Sequence, residues 1–378
     1  MKKTIIFYGT PAYGHINPTL PIVCELIKNG YRVVYYATKE FENAIRLCGA
    51  EFREYNFSGF DWKPEVGSRI LKLTELVLKF THKQQDALIH ELNEIKPDLI
   101  LHDTIALWGR VIAANQGIKA ISVNTLITIY PYTKKTLRMY LSRFALKSVV
   151  DLSALPGIIK YRKVSKGNII QSLMNEEKFN VFTYPRRMHP DGDKMNEGCF
   201  FLGPSETLRQ SDLEEEMYNN LIYISLGTIF NNSTNFYRRI MAEFADSEYT
   251  VVVSCGKYSE ILEKENTAKN IHFKSFVNQS EIMKQAKLFI TAGGMNSICG
   301  AVSNNVLCLM YPMQGEQYIN CKSIEKLGFG KMLKKKKSIF AQAQELINCG
   351  QINSGDFSEV RINELIDKID KYSGTDEG

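Results

Sequence analysis

The residues best suited to move a proton are a histidine and an aspartate, each standing where a strand-like run gives way to a helix-like one. His15 lies in Gly9-Thr10-Pro11-Ala12-Tyr13-Gly14-His15-Ile16-Asn17-Pro18, directly after the apolar run Thr4–Gly9. Asn17 suits an N-cap and Pro18 the first helical position, which puts His15 just before a helix N-terminus. The positive end of the helix dipole disfavours an imidazolium there and favours a neutral ring that accepts a proton. Asp103 ends the run Asp98–Asp103, ahead of a helical pattern over Thr104–Asn115. A carboxylate so placed can take the second N–H of His15, fix its tautomer and stabilise the imidazolium. Each has a plainer alternative: His15 caps or packs, and Asp103 caps the next helix. His102 points to the opposite side of its strand and reads as structural.

A second group of residues suits an anion. Thr291-Ala292-Gly293-Gly294-Met295-Asn296-Ser297 joins a strand to a helix, with two glycines that let the backbone approach closely and helix-start amides that bind phosphate. Ser225-Leu226-Gly227-Thr228 plays a similar part after its own strand. Glu316-Gln317 opens a later helix, and a carboxylate beside an amide grips neighbouring sugar hydroxyls; an ordinary acidic first turn is the alternative. Asp191-Gly192-Asp193 resembles a D-x-D metal site but lies in a polar loop without a flanking strand, and reads as a turn. The loop after the first strand holds only Gly9 and Gly14, so the dinucleotide fingerprint is absent, as are H-E-x-x-H, G-x-S-x-G and a Walker loop. No metal and no resident cofactor is expected.

Strands and helices alternate through both halves. Thr4–Gly9, Tyr31–Thr38, Phe52–Tyr55, Asp98–Asp103 and Lys119–Val123 read as strands, with helices over Asn17–Asn29, 41–48, 68–94 and 105–115 between them. Phe179–Thr183 and Cys199–Leu202 are late strands of the same domain. The acidic, polar segment 205–220 follows the turn Gly203-Pro204 and reads as a linker. The alternation then restarts, with strands at Leu221–Leu226, Tyr249–Cys255, Ile271–Ser275, Leu288–Thr291 and Val306–Met310, and helices at 235–245, 280–285, 296–303 and 316–327. Such alternation implies parallel sheets with right-handed crossovers. The expected fold class is α/β: a Rossmann-like domain over 1–204, a linker over 205–220, a second Rossmann-like domain over 221–355, and a C-terminal helix and tail over 356–378 packing back toward the first. The two halves should face each other across a cleft at the carboxyl ends of their strands, where such folds bind ligands.

Composition agrees with this size of protein. A chain of 378 residues with 44% hydrophobic and 23% charged residues is globular and long enough for two cores. The eight cysteines are scattered, with no CxxC pair, and read as small buried hydrophobes in a reducing compartment. The run after Met1-Lys2-Lys3 is too short for a signal-peptide core, and no segment approaches the ~18 apolar residues of a membrane span. The expectation is a cytoplasmic protein. A net charge of +6 argues no nucleic-acid partner without an accompanying motif. The excess is local: residues 131–170 carry nine cations against Asp151. Within it Leu137, Tyr140, Leu141, Phe144 and Ser148 recur at helical spacing; such a stripe is core or pocket. The charge suits peripheral contact with the inner face of a membrane.

Taken in order, these segments resemble the UDP-glycosyltransferase superfamily, and within it the bacterial macrolide-glycosyltransferase type. The resemblance rests on Gly14-His15-Ile16-Asn17-Pro18, Pro97-Asp98-Leu99-Ile100 leading to Asp103, Phe201-Leu202-Gly203-Pro204, Ile224-Ser225-Leu226-Gly227-Thr228, Phe276-Val277-Asn278-Gln279, Gly293-Gly294-Met295-Asn296-Ser297, and Glu316-Gln317 followed by Leu327-Gly328-Phe329-Gly330. It implies a GT-B fold and inverting, metal-independent transfer of a hexose from a UDP- or dTDP-sugar to a hydroxyl of a lipophilic acceptor, with His15 as base and Asp103 behind it. The donor would be held by Ser225, Gly227, Thr228, Phe276, Val277, Gln279, Ala292 to Ser297, Glu316 and Gln317. The acceptor would lie against Tyr13, Ile16, Leu137, Tyr140 and Phe144. Two positions depart from the family: Ala292 stands where a diphosphate-contacting His is usual, and Gly300 where a ribose-gripping Glu is usual. A thymidine donor lacks the ribose 2'-hydroxyl and would feel the second loss less. The competing readings are a catalytically silent homologue that binds or activates a partner, and a nucleotide-sugar epimerase of the same architecture.

Overall fold

The structure is a computed structural model that describes residues 3–56, 70–128, 134, 138, 152–165, 176–204, 217–227, 234–313, 315–350 and 352–374. The chain divides into two compact units, residues 1–186, 190–208 and 360–378, and residues 187–189 and 209–359.

The first unit is built on seven parallel strands: β1 (Thr4–Tyr8), β2 (Arg32–Ala37), β3 (Glu51–Glu54), β4 (Leu99–Asp103), β5 (Ala120–Asn124), β6 (Phe179–Phe182) and β7 (Cys199–Phe201). Their order is β3-β2-β1-β4-β5-β6-β7, so the direction of winding reverses between β1 and β4. The inner strands are nearly continuous apolar runs because helices cover both faces of the sheet. Ile5, Phe7, Leu99, Leu101, Ile121 and Val123 pack on one face with α2 (Leu20–Lys28). Ile6, Tyr8 and Ile100 pack on the other with α4 (Ile70–Ile95) and α5 (Leu107–Gln116). Strand side chains alternate, so Asp103 continues the α2 side of β4. His102 takes the α5 side, where a Cβ on Gly109 would come within 2.6 Å of its Cβ.

The helix behind β1 starts earlier than its sequence suggests. α1 (Tyr13–Ile16), a 3₁₀ turn over Asn17–Thr19 and α2 follow without a break, and Ala12 is the N-cap. Asn17 has right-handed helical dihedrals (φ −54°, ψ −45°) and is no N-cap: it ends α1, its amide donating to the Tyr13 carbonyl. Pro18 lacks an N–H, and the chain accommodates it by tightening to 3₁₀ geometry. His15 therefore stands inside the first helical turn.

α3 (Glu42–Leu47) precedes β3, and Cys48 just beyond it forms a disulfide with Cys24 of α2, with Cα atoms 4.6 Å apart. This corrects the expectation of uniformly free cysteines: the pair meets through packing of α2 against the end of α3, which spacing in the sequence does not reveal. Cys199, Cys255, Cys299, Cys308 and Cys321 are buried thiols outside any disulfide, and the Cys349 thiol is exposed. α6 (Leu155–Tyr161) packs on α4, where Gly157 makes room for Glu75. In the second unit, six parallel strands, β8 (Leu221–Ser225), β9 (Thr250–Ser254), β10 (Ile271–Lys274), β11 (Ala286–Thr291), β12 (Leu307–Met310) and β13 (Gly330–Met332), run in the order β10-β9-β8-β11-β12-β13. Their connections include α7 (Thr234–Phe244), α8 (Ser259–Glu265), α9 (Gln279–Met283), α10 (Met295–Ser303) and α11 (Gly315–Leu327), and α12 (Ile339–Asn348) follows β13.

The chain then returns to the first unit. α13 (Ile362–Gly374) buries Leu365, Ile366 and Ile369 in the cluster that α2 shares with the sheet. Tyr372 ties it to the start of β5, its hydroxyl donating to the Ala120 carbonyl at 3.2 Å while its own carbonyl accepts from Lys119 Nζ at 3.1 Å. No helix among the described residues is long and apolar enough to cross a membrane.

Candidate active site

Three neighbouring strands of the first sheet deliver polar side chains to one point, at the place where its winding reverses. Thr10 follows β1, Asp103 ends β4 and Thr125 follows β5. His15 Nδ1 lies 3.0 and 2.9 Å from the two carboxylate oxygens of Asp103. Thr10 Oγ1 donates to Asp103 Oδ1 at 2.6 Å, and the Ile105 amide donates to the same oxygen at 2.9 Å. The Thr125 hydroxyl oxygen is 3.0 Å from His15 Nδ1, and Thr125 is itself held by its amide donating to Thr104 Oγ1 at 3.2 Å. Asp103 does not cap the next helix: α5 begins at Leu107 with Ala106 as N-cap.

These contacts set the protonation states. Burial pushes the Asp103 carboxyl up, but the His15 charge, the His15 and Thr10 hydrogen bonds and the Ile105 amide together hold it below its ordinary value. Asp103 as an anion only accepts, so a neutral His15 ring would carry its proton on Nδ1, facing the carboxylate, and leave Nε2 unprotonated. The His15 side chain is 11% exposed and that of Asp103 1%. A largely buried ring held by a buried carboxylate suits a general base.

In the second unit, the glycine turns also leave the sheet at its reversal point. Ser225 and Thr291 are register partners at the ends of β8 and β11, so the turns that follow them start side by side. Gly227 has φ +87° and Gly293 φ +91°, conformations that favour glycine. A Cβ on Gly293 would lie 2.3 Å from Cys321 Sγ and 3.2 Å from the Gln317 carbonyl, so this glycine packs its turn against α11. Gly294 is the N-cap of α10, and a Cβ there would meet nothing within 4 Å. Among the described residues nothing fills that space, which lies at the amide end of α10, where helices bind anions. Glu316 opens α11, and the Gln317 amide oxygen accepts from the Met313 amide at 2.9 Å.

A Bacillus licheniformis NDP-glycosyltransferase is 30% identical over 360 residues, covering 92% of this chain and 89% of that protein. The chain belongs to the UDP-glycosyltransferase superfamily. Residues 230–351 of this glycosyltransferase match the glycosyltransferase family 28 C-terminal domain. Two solved structures extend the likeness over its whole length. A kitacinnamycin glycosyltransferase covers 99% of this chain and 96% of its own at 22% identity, TM-score 0.79. A calicheamicin glycosyltransferase covers 100% of both at 20% identity, TM-score 0.77. The fold is GT-B.

Several predicted contacts are relocated in the glycosyltransferase. Ile16 is 0% exposed in the core and offers no surface to an acceptor, whereas Tyr13 is 37% exposed and sets its ring edge-on to Phe41. Ala292 and Val277 bury their side chains, leaving only their backbones for a ligand, while Phe276 is 37% exposed. Met295 is buried too; Asn296 and Ser297 are partly exposed on the first turn of α10. Gly300 faces Gln279, whose Nε2 would lie 3.9 Å from a Cβ there. Asp191 is the N-cap of the short 3₁₀ turn Gly192–Lys194 and Asp193 lies within it, and no group of three metal-binding side chains occurs among the described residues. Thr228, Leu137, Tyr140 and Phe144 lie outside the described residues, as does most of the basic stretch 131–170. Thr10 and Thr125 were missed as partners of the His–Asp pair, because their signal is position after a strand, which many threonines share.

Proposed function

We propose that this glycosyltransferase transfers a hexose from a UDP- or dTDP-sugar to a hydroxyl of a lipophilic acceptor, with inversion and without a metal. The observation that carries the reading is His15 Nδ1 fixed on the Asp103 carboxylate, which leaves Nε2 as the base. In the step proposed, Nε2 takes the acceptor hydroxyl proton as the acceptor oxygen forms a bond to the anomeric carbon. The bond from that carbon to the diphosphate oxygen breaks on the opposite face, and the nucleoside diphosphate leaves with the electron pair. Charge on the leaving group is met by the amides at the Gly294 end of α10. The acceptor is held by the first unit and the donor by the second.

Gly300 leaves the ribose-facing position of α10 without a carboxylate, which supports acceptance of dTDP-sugars alongside UDP-sugars. The names of the two solved structures support a natural-product acceptor. On α6, Leu155 and Ile159 are 38% and 57% exposed beside Lys160, Arg162 and Lys163, which supports uptake of a lipophilic acceptor from an anionic membrane surface. Sedimentation with anionic liposomes tests that contact, and its absence removes the membrane part.

The decisive experiment is mass spectrometry of reactions containing UDP- and dTDP-sugars with polyphenol, macrolide and lipid acceptors, run with and without a chelator. Glycosylated product whose NMR coupling constants show inversion, formed equally in the chelator, supports the reading. Retention at the anomeric carbon, or loss of transfer on chelation, contradicts it.

A further inference from the structure

Asn320, one turn along α11 from Glu316, is 0% exposed, yet its amide touches both parts of the donor site proposed above. Its Nδ2 donates to the Gly293 carbonyl at 3.1 Å and to Glu316 Oε1 at 3.3 Å. Both partners are acceptors, which fixes the orientation of the amide. Its Oδ1 has no hydrogen-bond partner among the described residues. A buried amide that leaves one of its atoms unpaired is costly, so its two donated bonds have something to hold in place.

The consequence follows from peptide geometry. Gly293 carbonyl and Gly294 N–H belong to one peptide plane, and the chain contains no cis bonds among the described residues. In a trans peptide the two groups point in opposite directions. By drawing the Gly293 carbonyl toward α11, Asn320 turns the Gly294 N–H away from it. The same amide nitrogen holds one oxygen of Glu316, setting the direction of that carboxylate. We infer that Asn320 is a positioning residue that aims the Gly294 amide at the donor diphosphate and the Glu316 carboxylate at the donor sugar, keeping the two in register. The inference rests on the donor-site reading and adds the residue that links its parts.

Calorimetric titration of UDP and UDP-glucose into wild-type protein, Asn320→Leu, Asn320→Asp and Glu316→Gln tests it. Glu316→Gln should weaken UDP-glucose about tenfold and leave UDP within about threefold, since it removes a sugar contact only. Asn320→Leu should weaken both ligands about tenfold with its thermal transition still cooperative. Asn320→Asp, of the same shape but without the donors, should repeat that loss should the leucine variant fail to fold. An Asn320 variant that folds and binds both ligands as wild type overturns the inference. So does a loss of binding seen only in step with loss of the folded state, which marks a structural role. Wild-type affinity for UDP-glucose in Glu316→Gln, or no UDP binding by the wild type, overturns the donor reading itself and the inference with it.

Discussion

His15 and Asp103, 88 residues apart in sequence, meet with Nδ1 within 3.0 Å of both carboxylate oxygens. The pairing assigns the ring tautomer, and replacing the carboxylate by an amide of the same shape disturbs it. Asp103→Asn turns a pure acceptor into a group that also donates, and Nδ1–H loses its anionic partner. The expected result in steady-state kinetics is a fall in kcat of about 10²–10⁴-fold with little change in donor KM.

Thr125 shares the Nδ1 side of His15 at 3.0 Å and lies 3.5 Å from Asp103 Oδ2. Thr125→Val keeps the branched shape and removes the hydroxyl. The loss of one neutral hydrogen bond of about 1 kcal/mol should lower kcat several-fold. A kcat equal to wild type would show that the hydroxyl does not steady the ring.

Acid stability carries a second signature of the same carboxylate. Its pKa is held low in the folded protein, so it stabilises the fold above its unfolded pKa of about 4 and that contribution fades as pH falls further. Thermal denaturation between pH 7 and pH 3 should show the wild type losing its advantage over Asp103→Asn through the acid end of that window. A constant difference across the range would contradict the low carboxyl pKa.

The two glycines of the donor turn should separate folding from binding. Gly293→Ala demands a left-handed alanine, at about 1–2 kcal/mol, and places a methyl against Cys321 Sγ, so its melting temperature should fall clearly. Gly294 has φ −63° and no described residue within 4 Å of where a Cβ would stand, so Gly294→Ala should melt as wild type. Its methyl faces the proposed diphosphate, and UDP affinity should drop. Calorimetry and thermal melts on the two variants read both effects.

Thiol accessibility tests the corrected cysteine assignment. Burial pushes the Cys255 thiol up to about 11 and the Cys308 thiol to about 12, and raises Cys299 and Cys321 as well. Native protein treated with iodoacetamide at pH 8 should label at exposed Cys349, with Cys24 and Cys48 labelled only after reduction. Peptide mass spectrometry showing Cys24 or Cys48 alkylated without reductant would contradict the disulfide.

Much of this was legible before any coordinates, for physical reasons that differ by element. The inner strands announced themselves because a parallel sheet covered on both faces demands unbroken apolar runs such as Thr4–Tyr8 and Leu221–Ser225. Glycines at strand ends marked the turns because positive φ leaves few other choices. The start of the first helix was misplaced because Asn17-Pro18 looks like a cap, while helical geometry had already begun at Tyr13. The three-residue edge strand β13 has no pattern long enough to detect, and α8 and α12 are helices the sequence analysis does not assign. Ile16 was read as an acceptor contact because it adjoins His15, yet its face of the helix is the core. The Cys24–Cys48 bond and Asn320's two hydrogen bonds depend on how helices pack, which no local pattern encodes.

In the proposed reaction the imidazole of His15 performs proton transfer and is not needed to bind the donor. Product formation from UDP- and dTDP-sugars, followed by mass spectrometry for wild type and His15→Ala, tests it most directly when UDP affinity is measured on the same preparations. UDP affinity should be unchanged in the variant and product formation lower by about 10²-fold or more. Product formed by His15→Ala at the wild-type rate would contradict it.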